Sequence, residues 1–512
     1  MRFPYLLVFF ASFCLMVIEL VAGRIMAPSL GVSLYTWTSI IAVILSGITI
    51  GNYMGGRVAD KLASRKTLGA IFIVSGLSSL GIVYMARAMD QFITPIVTSL
   101  LLSTLEYSLF VFFAPSFFLS FVTPMVVKLH LHDLTKTGST VGTIYAWSAF
   151  GSIVGTVATG YFFIDLVGTK MIVVLVAIAL STVGLLLLAD MALLKNRKFP
   201  ILIMFFLAAM ALPNRCTKES KYYCITIQNS TSSGYPNVQI VRLDHLTHSF
   251  VVPDKTTGVK AFGYDYEKLF ALLVAMNHKP SDQFGALFIG GGGYVGPRYF
   301  EAVYPHSDLT VAEIDPSVTE INYAKLGLPR TTRINTINGD ARMTLKSLAV
   351  TRQFDYVFGD AFNDLSVPYH LTTSEFDHLV KSHLTPNGWY ALNVIDEPSS
   401  GRFVSSTVKT LQQSFAHVYL LPGRSQWQQS PRSTFVILAS DQALDLKQWS
   451  TSVLPVPIGE FAAGHSTDNP ELIHVAPPDE LEQYMSDKKG IILTDNYVPV
   501  DRMLAPVFIK AF

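Results

Sequence analysis

Ala286-Leu287-Phe288-Ile289-Gly290-Gly291-Gly292-Gly293 is the stretch on which the fold turns. Four apolar residues make a short buried strand. The glycines after them let the backbone turn tightly and approach a ligand closely. Val295 to Val303 then reads as a helix. The same alternation continues outward. Leu309–Glu313 reads as a second strand, and Asp315-Pro316 opens a helix over 316–325. Arg333–Thr336, Tyr356–Phe358, Trp389–Val394 and Phe435–Leu438 read as further strands. Strands alternating with helices predict an open, mostly parallel, doubly wound α/β sheet. Ligands in such sheets bind beyond the carboxyl ends of the strands.

Acidic residues stand at those ends. Glu313 closes the second strand, at about the 20-residue spacing from the glycine turn at which a carboxylate can grip two ribose hydroxyls. Asp340 follows the third strand within Asn338-Gly339-Asp340-Ala341, where it can read an adenine edge. Asp360 ends the fourth strand within Phe358-Gly359-Asp360-Ala361-Phe362-Asn363-Asp364. Three carboxylates in register are poor phosphate receptors, because they would repel the anion. They suit a cationic nucleoside without a pyrophosphate: S-adenosylmethionine or its decarboxylated form, each an adenosine carrying a sulfonium.

Upstream, residues 222–229 and 237–242 read as a β-hairpin, with another strand near 248–252. Before residue 213 the texture changes. Hydrophobic residues make up 50% of the chain and charged residues 15%, where soluble proteins carry about a quarter charged; the shortfall is concentrated in residues 1–212. Apolar runs at 3–23, 36–54, 68–87, 92–127, 141–164 and 170–190 are each long enough to cross a hydrocarbon core of about 30 Å at about 1.5 Å per residue. Pro115 interrupts the long run 92–127, which could be one kinked helix or two short ones. The run 200–212 is short for a span and could cross or lie in the interface. Six to eight spans are therefore expected.

Basic residues give the orientation. Arg57, Lys61, Arg65 and Lys66, then Lys128 and Lys136, then Lys195, Arg197 and Lys198 fall on one side, which the positive-inside rule makes cytoplasmic. Those loops, together with the cytoplasmic origin of an adenosyl ligand, put the soluble domain in the cytoplasm; the run 200–212 then lies in the interface, or 92–127 crosses twice. Glu19, Arg24 and Glu106 are ionisable groups within or beside spans, and must face protein, water or one another. A Glu19–Arg24 ion pair and a substrate path are both open readings. Gly142, Gly151, Gly155 and Gly160 are small residues of the kind that close helix packing uses. The net charge of +1 gives no sign of nucleic-acid binding. Cys216 and Cys224 could pair, but with no His or Cys beside them they read as free thiols or core residues, and no metal site is expected.

Two resemblances follow from these residues. Gly51, Gly55, Gly56, Arg57, Asp60, Lys61, Arg65 and Lys66 resemble the loop between helices two and three of major facilitator transporters, with Ala63-Ser64 where a glycine is usual. Residues 217–400 resemble the spermidine synthases, polyamine aminopropyltransferases, and with the membrane half they resemble the family's membrane-fused members. The matching segments are Lys218-Glu219-Ser220-Lys221-Tyr222, Leu243-Asp244, Tyr264-Asp265-Tyr266-Glu267, Ile289 to Gly293, Val311-Ala312-Glu313-Ile314-Asp315-Pro316, Asn338-Gly339-Asp340-Ala341, Phe358-Gly359-Asp360 and Thr494-Asp495-Asn496-Tyr497-Val498-Pro499.

The resemblance implies roles. Asp360 takes the proton of the attacking amine, with Asp364 and Tyr266 beside it. Gly290, Gly292, Glu313, Asp340 and Ala341 hold the nucleoside. The co-substrate is decarboxylated S-adenosylmethionine or S-adenosylmethionine itself, with no permanently bound cofactor. The partners are a small amine and the lipid bilayer; a homodimer stays open. This chain departs from the family at Asn363, where a second acid is usual, at Glu267, where glutamine is usual, and at Gly293-Tyr294, where Asp-Gly is usual. Those departures leave a methyltransferase, a transferase for another amine, and a non-catalytic nucleoside sensor on a transporter-like module as alternatives. The expected architecture is a multi-pass helical membrane domain (1–213), a small β subdomain (214–260), a Rossmann-like, methyltransferase-type α/β domain (261–445) and a C-terminal extension (446–512).

Overall fold

Among the described residues, the apolar runs of the first half form six helical segments long and apolar enough to cross a membrane, from Pro4–Leu30 to Thr169–Leu188. The computed structural model describes residues 4–93, 100–131, 133–188, 199–232, 235–361, 367–423, 427–429, 432–456, 459–460 and 473–509. It divides into two compact units, Met1–Cys224 and Ile225–Ala511.

In the first unit the helices are α1 (Pro4–Leu30), α2 (Leu34–Leu62), α3 (Arg65–Ala88), α4 (Leu100–Ser120), α5 (Val122–His130), α6 (Thr137–Ala158), the single turn α7 (Ile164–Leu166), α8 (Thr169–Leu188) and α9 (Phe199–Ala211). Leu100–His130 is one span, with Pro115 inside α4. The described part of the run, from Leu100 on, is thus long and apolar enough for one crossing. Helices α1 and α6, α2 and α4, and α3 and α8 pair most extensively. Lipid supplies no hydrophobic drive between helices, so such pairs depend on close backbone approach through small residues. A Cβ added at Gly151 would lie 2.2 Å from the Phe9 carbonyl oxygen, and one at Gly155 2.6 Å from that of Phe13. Gly142 and Gly160 meet nothing within 4 Å, so they take no part in that packing. Ser64, in the stretch where the transporter loop carries a glycine, caps α3 by accepting from Thr67 N–H at 3.0 Å.

Two expectations are corrected here. Arg24 does not pair with Glu19. Five residues apart on one helix, the two point to different faces. The Arg24 guanidinium instead lies 3.7 Å from Glu219 and donates to the carbonyls of Ser220 and Lys221. Glu19 Oε2 is buried with no hydrogen-bond partner among the described residues. Cys216 and Cys224 are not free thiols. They form a disulfide, with their Cα atoms 5.2 Å apart.

The two ends of the bundle differ. At one end Lys128 pairs with Asp60 at 3.0 Å, and Arg65 donates to the Leu186 carbonyl at 3.2 Å. At the other end Lys170, at the start of α8, donates to the carbonyls of Met210 and Leu212 at 3.1 and 2.7 Å. Arg87 donates to Pro213, and Arg215 pairs with Asp90 at 2.7 Å. The chain therefore leaves the bundle at the end opposite its basic loops, where the sequence had placed them together. The short strand β1 (Lys218–Glu219) follows the exit.

In the second unit β2 (Cys224–Ser232), β3 (Tyr235–Leu243) and β4 (Leu246–Val251) form the expected antiparallel meander. Short strands β5 (Pro253–Asp254) and β6 (Gly258–Val259) pair, and β7 (Ala261–Phe262) leads into α10 (Asp265–Asn277). The main sheet contains β8 (Gly285–Ile289), β9 (Asp308–Glu313), β10 (Asn335–Asn338), β11 (Phe354–Gly359), β12 (Leu384–Asp396), β13 (His417–Leu421) and β14 (Ser433–Ser440), in the order β10-β9-β8-β11-β12-β14-β13. The first five run parallel; β14 and β13 close the edge antiparallel. β10 sits two residues later than its predicted span, and β13 was not predicted. The strand order reverses beside β8, between β9 and β11, which is where doubly wound sheets open their ligand crevice.

Gly151→Ala should destabilise the membrane unit by about 1–3 kcal/mol through overpacking against Phe9, whereas Gly142→Ala should not. Thermal unfolding in detergent compares them; equal midpoints would refute the packing role of Gly151.

Candidate active site

The site is built where the ends of β8, β9, β10 and β11 lie side by side. Ile289 pairs with both Ala312 and Gly359, and Glu313 with Asn338. Beyond β8 the backbone turns at Gly290, whose φ is +99°. A Cβ there would lie 2.3 Å from the Asp360 carbonyl oxygen, so only glycine lets the two strand ends approach this closely. Gly292 also has positive φ, at +48°. The last residue of the turn is Tyr294, in left-handed conformation at φ +56°. That is costly for a residue with a side chain. Its buried ring compensates by placing the hydroxyl 3.0 Å from Thr319 and 3.1 Å from Thr336.

Glu313 is buried. Its Oε2 accepts from Gly291 N–H and its Oε1 from Asp315 N–H, both at 2.8 Å. Burial raises its carboxyl to about 7, against the downward pull of those backbone bonds. A carboxylate has about four acceptor positions, and the N–H groups of Gly291, Gly292 and Asp315 take up part of them.

Asp360 is the centre of the constellation. Tyr266 Oη donates to its Oδ2 at 2.6 Å, and Asn393 Nδ2 donates to its Oδ1 at 2.7 Å. Burial pushes its carboxyl above the ordinary value, and the bonds from Asn393 and Tyr266, with His248, pull it back. Tyr266 is itself buried, and burial together with the neighbouring Asp360 holds its hydroxyl far from ionising. Glu267, one residue on, accepts from the N–H groups of Gly263 and Tyr264 at 2.7 and 3.1 Å through Oε2. Burial raises it to about 8. Tyr266, Glu267, Gly290, Gly291 and Asp360 line one cavity, whose apolar wall is Phe270, Phe288 and Phe358.

Asp340 follows β10, as expected. It caps α13 (Ala341–Ser347; α11 is Val295–Val303 and α12 Pro316–Ala324), accepting from Met343 N–H at 2.9 Å. Its other oxygen lies 2.5 Å from His370 Nε2. Ala341, the first residue of that helix, is buried. Arg342 follows, bound bidentately to Asp495 at 2.7 and 2.6 Å. Asp495 also accepts from the Thr373 hydroxyl at 2.8 Å. The late segment matched in the sequence thus packs beside the Asp340 corner. Asp364 and Asn363 lie outside the described residues.

Sequence reasoning missed Asn393, Ser249, His248 and His370. Asn393 could have been noticed as the polar residue within the apolar run Trp389–Val394. Ser249 Oγ accepts from Gly293 N–H at 2.8 Å and thereby holds the glycine turn against the small sheet. Nothing in their own sequence neighbourhood marks the two histidines.

A polyamine aminopropyltransferase of Vibrio vulnificus (strain CMCP6) is 30% identical over 253 residues, which are 47% of this chain and 76% of that protein. The chain belongs to the polyamine aminopropyltransferase family. Aminopropyltransferases are transferases, so the chain is a member of a family of enzymes. A probable polyamine aminopropyl transferase of Bifidobacterium longum (strain NCC 2705) is 28% identical over 109 residues, 21% of this chain and 24% of that protein. Among solved structures, a probable spermidine synthase from Corynebacterium glutamicum ATCC 13032 has a TM-score of 0.44 at 20% identity, covering 56% of this chain and 99% of its own. The spermidine synthase from Thermotoga maritima has a TM-score of 0.33 at 15% identity, covering 51% of this chain and 87% of its own. No family profile matches the chain.

The raised Glu267 carboxyl has a consequence for stability. Its folded-state value of about 8 lies above the ordinary 4.5. Folding therefore favours the protonated acid: this contribution is fully present below about pH 4.5 and is lost as pH rises through 8. Glu267→Gln should flatten that part of the profile. Unfolding midpoints between pH 5 and 9 for the two proteins should diverge with rising pH; parallel curves would refute the raised Glu267 carboxyl.

Proposed function

We propose that the soluble unit transfers an aminopropyl group from decarboxylated S-adenosylmethionine to a small amine, with Asp360 as general base. The observation that carries this reading is the Asp360 carboxylate, half-buried at the end of β11 beside the glycine turn and held by Tyr266 and Asn393. Family membership supplies the reaction class. Glu313, at the end of β9 beside the glycine turn, would take the ribose hydroxyls. The cavity bounded by Phe270, Phe288 and Phe358 would take the apolar part of the transferred chain.

The step is a displacement. The amine nitrogen forms a bond to the carbon next to the sulfonium, and the carbon–sulfur bond breaks with its electrons staying on sulfur. Methylthioadenosine leaves, and the proton released from nitrogen passes to Asp360. Sulfonium is a good leaving group, so the protein's work is to align the reactants and hold a base in reach. A buried carboxylate whose proton affinity is raised is a better base than an exposed one, and Tyr266 and Asn393 keep it ionised and oriented. Glu267, on the same cavity, is a second acid for an ammonium of the acceptor; a bound cation would favour its ionised form.

Glu313→Gln should weaken methylthioadenosine binding by about 1.5–3 kcal/mol, the range for hydrogen bonds to a charged group. The sign of the pH effect follows from its value of about 7. Above that pH the ionised carboxylate accepts from both hydroxyls. Below it the neutral acid loses acceptor capacity, so affinity falls with falling pH. Titration calorimetry from pH 5.5 to 8.5 should show this slope in the parent and its absence in Glu313→Gln; identical profiles would remove Glu313 from the site.

Asp360→Asn keeps the size of the side chain and removes its basicity. Turnover should fall by roughly 10²–10⁴-fold with little change in nucleoside binding. Parent-level turnover in the folded variant would end the general-base assignment. Turnover of the parent with S-adenosylmethionine, and none with its decarboxylated form, would convert the reading to methyl transfer.

A further inference from the structure

Among the described residues between 20 and 188, six Lys and Arg residues (Arg57, Lys61, Arg65, Lys66, Lys128 and Lys136) fall in or beside the connections at one end of the bundle, and three (Arg24, Arg87 and Lys170) at the other. Two contacts confirm that the first set shares an end: Lys128 with Asp60, and Arg65 with the Leu186 carbonyl near the close of α8. Short connections rich in Lys and Arg stay in the cytoplasm. The end marked by α2–α3, α4–α6 and the close of α8 is therefore the cytoplasmic one.

The chain does not enter the soluble unit from that end. Helix α9 packs on both α8 and α3. Its last carbonyls are bound by Lys170, which stands at the opposite end of α8 from Leu188. α9 thus runs antiparallel to α8, and the chain has returned to the far end by Pro213. The following residues are fastened there. Arg215 donates to the Ile25 carbonyl at 2.7 Å and pairs with Asp90. Arg24 holds the carbonyls of Ser220 and Lys221, Thr169 N–H donates to Glu219, and Lys221 pairs with Asp165 at 3.0 Å. Only Tyr222, Tyr223 and Cys224 separate these anchors from Ile225, where the soluble unit begins.

From the polarity of α9 we infer that the soluble, substrate-binding unit faces the extracytoplasmic side of the membrane. A second observation points the same way. The Cys216–Cys224 disulfide lies in this exit segment, and disulfides persist in oxidising compartments, whereas the cytoplasm keeps thiols reduced. Neither observation depends on the reaction assigned to Asp360. Under this arrangement both the nucleoside sulfonium and the amine are met outside the cytoplasm, which reverses the expectation drawn from the basic loops.

The test is thiol labelling of the full chain in intact cells with a membrane-impermeant maleimide, before and after permeabilisation. Lys255 and Lys279 are exposed residues of the soluble unit, and Lys61 is exposed at the basic end of α2. Of the native cysteines, Cys14 is buried and the other two are bonded. Lys255→Cys and Lys279→Cys should each label in intact cells, and Lys61→Cys only after permeabilisation. Both soluble-unit sites must agree, which guards against a local folding defect. Protection of Lys255→Cys and Lys279→Cys until permeabilisation, or labelling of Lys61→Cys from outside, would overturn the inference.

Discussion

The contact between the ends of β8 and β11 is the constraint on which the site depends. Gly290 passes so close to the Asp360 carbonyl that no side chain fits between them. That approach sets the carboxylate of Asp360 beside the glycine turn instead of a side chain's width away. The turn then carries Gly291 N–H to Glu313, and Glu313 reaches on to Asp315 N–H. One missing methyl group thus links the nucleoside end of the crevice to its reacting end.

The crevice concentrates acids where water is scarce. Glu267 and Glu313 are buried and Asp360 is half-buried, and loss of solvent raises each carboxyl. Backbone N–H groups, Tyr266 and Asn393 offset part of the desolvation. Isolated buried carboxylates are costly, and a cationic ligand entering this cavity would relieve that cost. The electrostatics of the crevice thus suit a positively charged guest, which agrees with the sulfonium and amine of the proposed displacement.

Much of this was legible along the chain. The four strand ends and the acids that follow them came from local patterns: short apolar runs, a glycine cluster and Asp-Pro at a helix start. So did the six spans, whose length alone separates them from core helices. What escaped needed pairing information. Asn393 is 33 residues from Asp360, and only strand alignment brings them together. β13 lacks an apolar run long enough to stand out, and the register of β10 is set by its neighbour β9. Cys216 and Cys224 looked like bystanders because composition says nothing about a turn that places two Cα atoms 5.2 Å apart. Tyr294 sits where glycine is usual, and its sequence gave no hint that two threonine hydroxyls would hold it there.

The Arg342–Asp495 clamp has a consequence for how the protein is made. Arg342 lies directly after the Asp340 corner, whereas Asp495 arrives from the far end of the chain, carried by a segment that also meets Thr373. During synthesis the sheet and its glycine turn emerge well before that segment does. The wall beside Asp340 therefore closes only once the segment around Asp495 has left the ribosome, and a nascent chain that stops short of it would own a crevice with one side still missing.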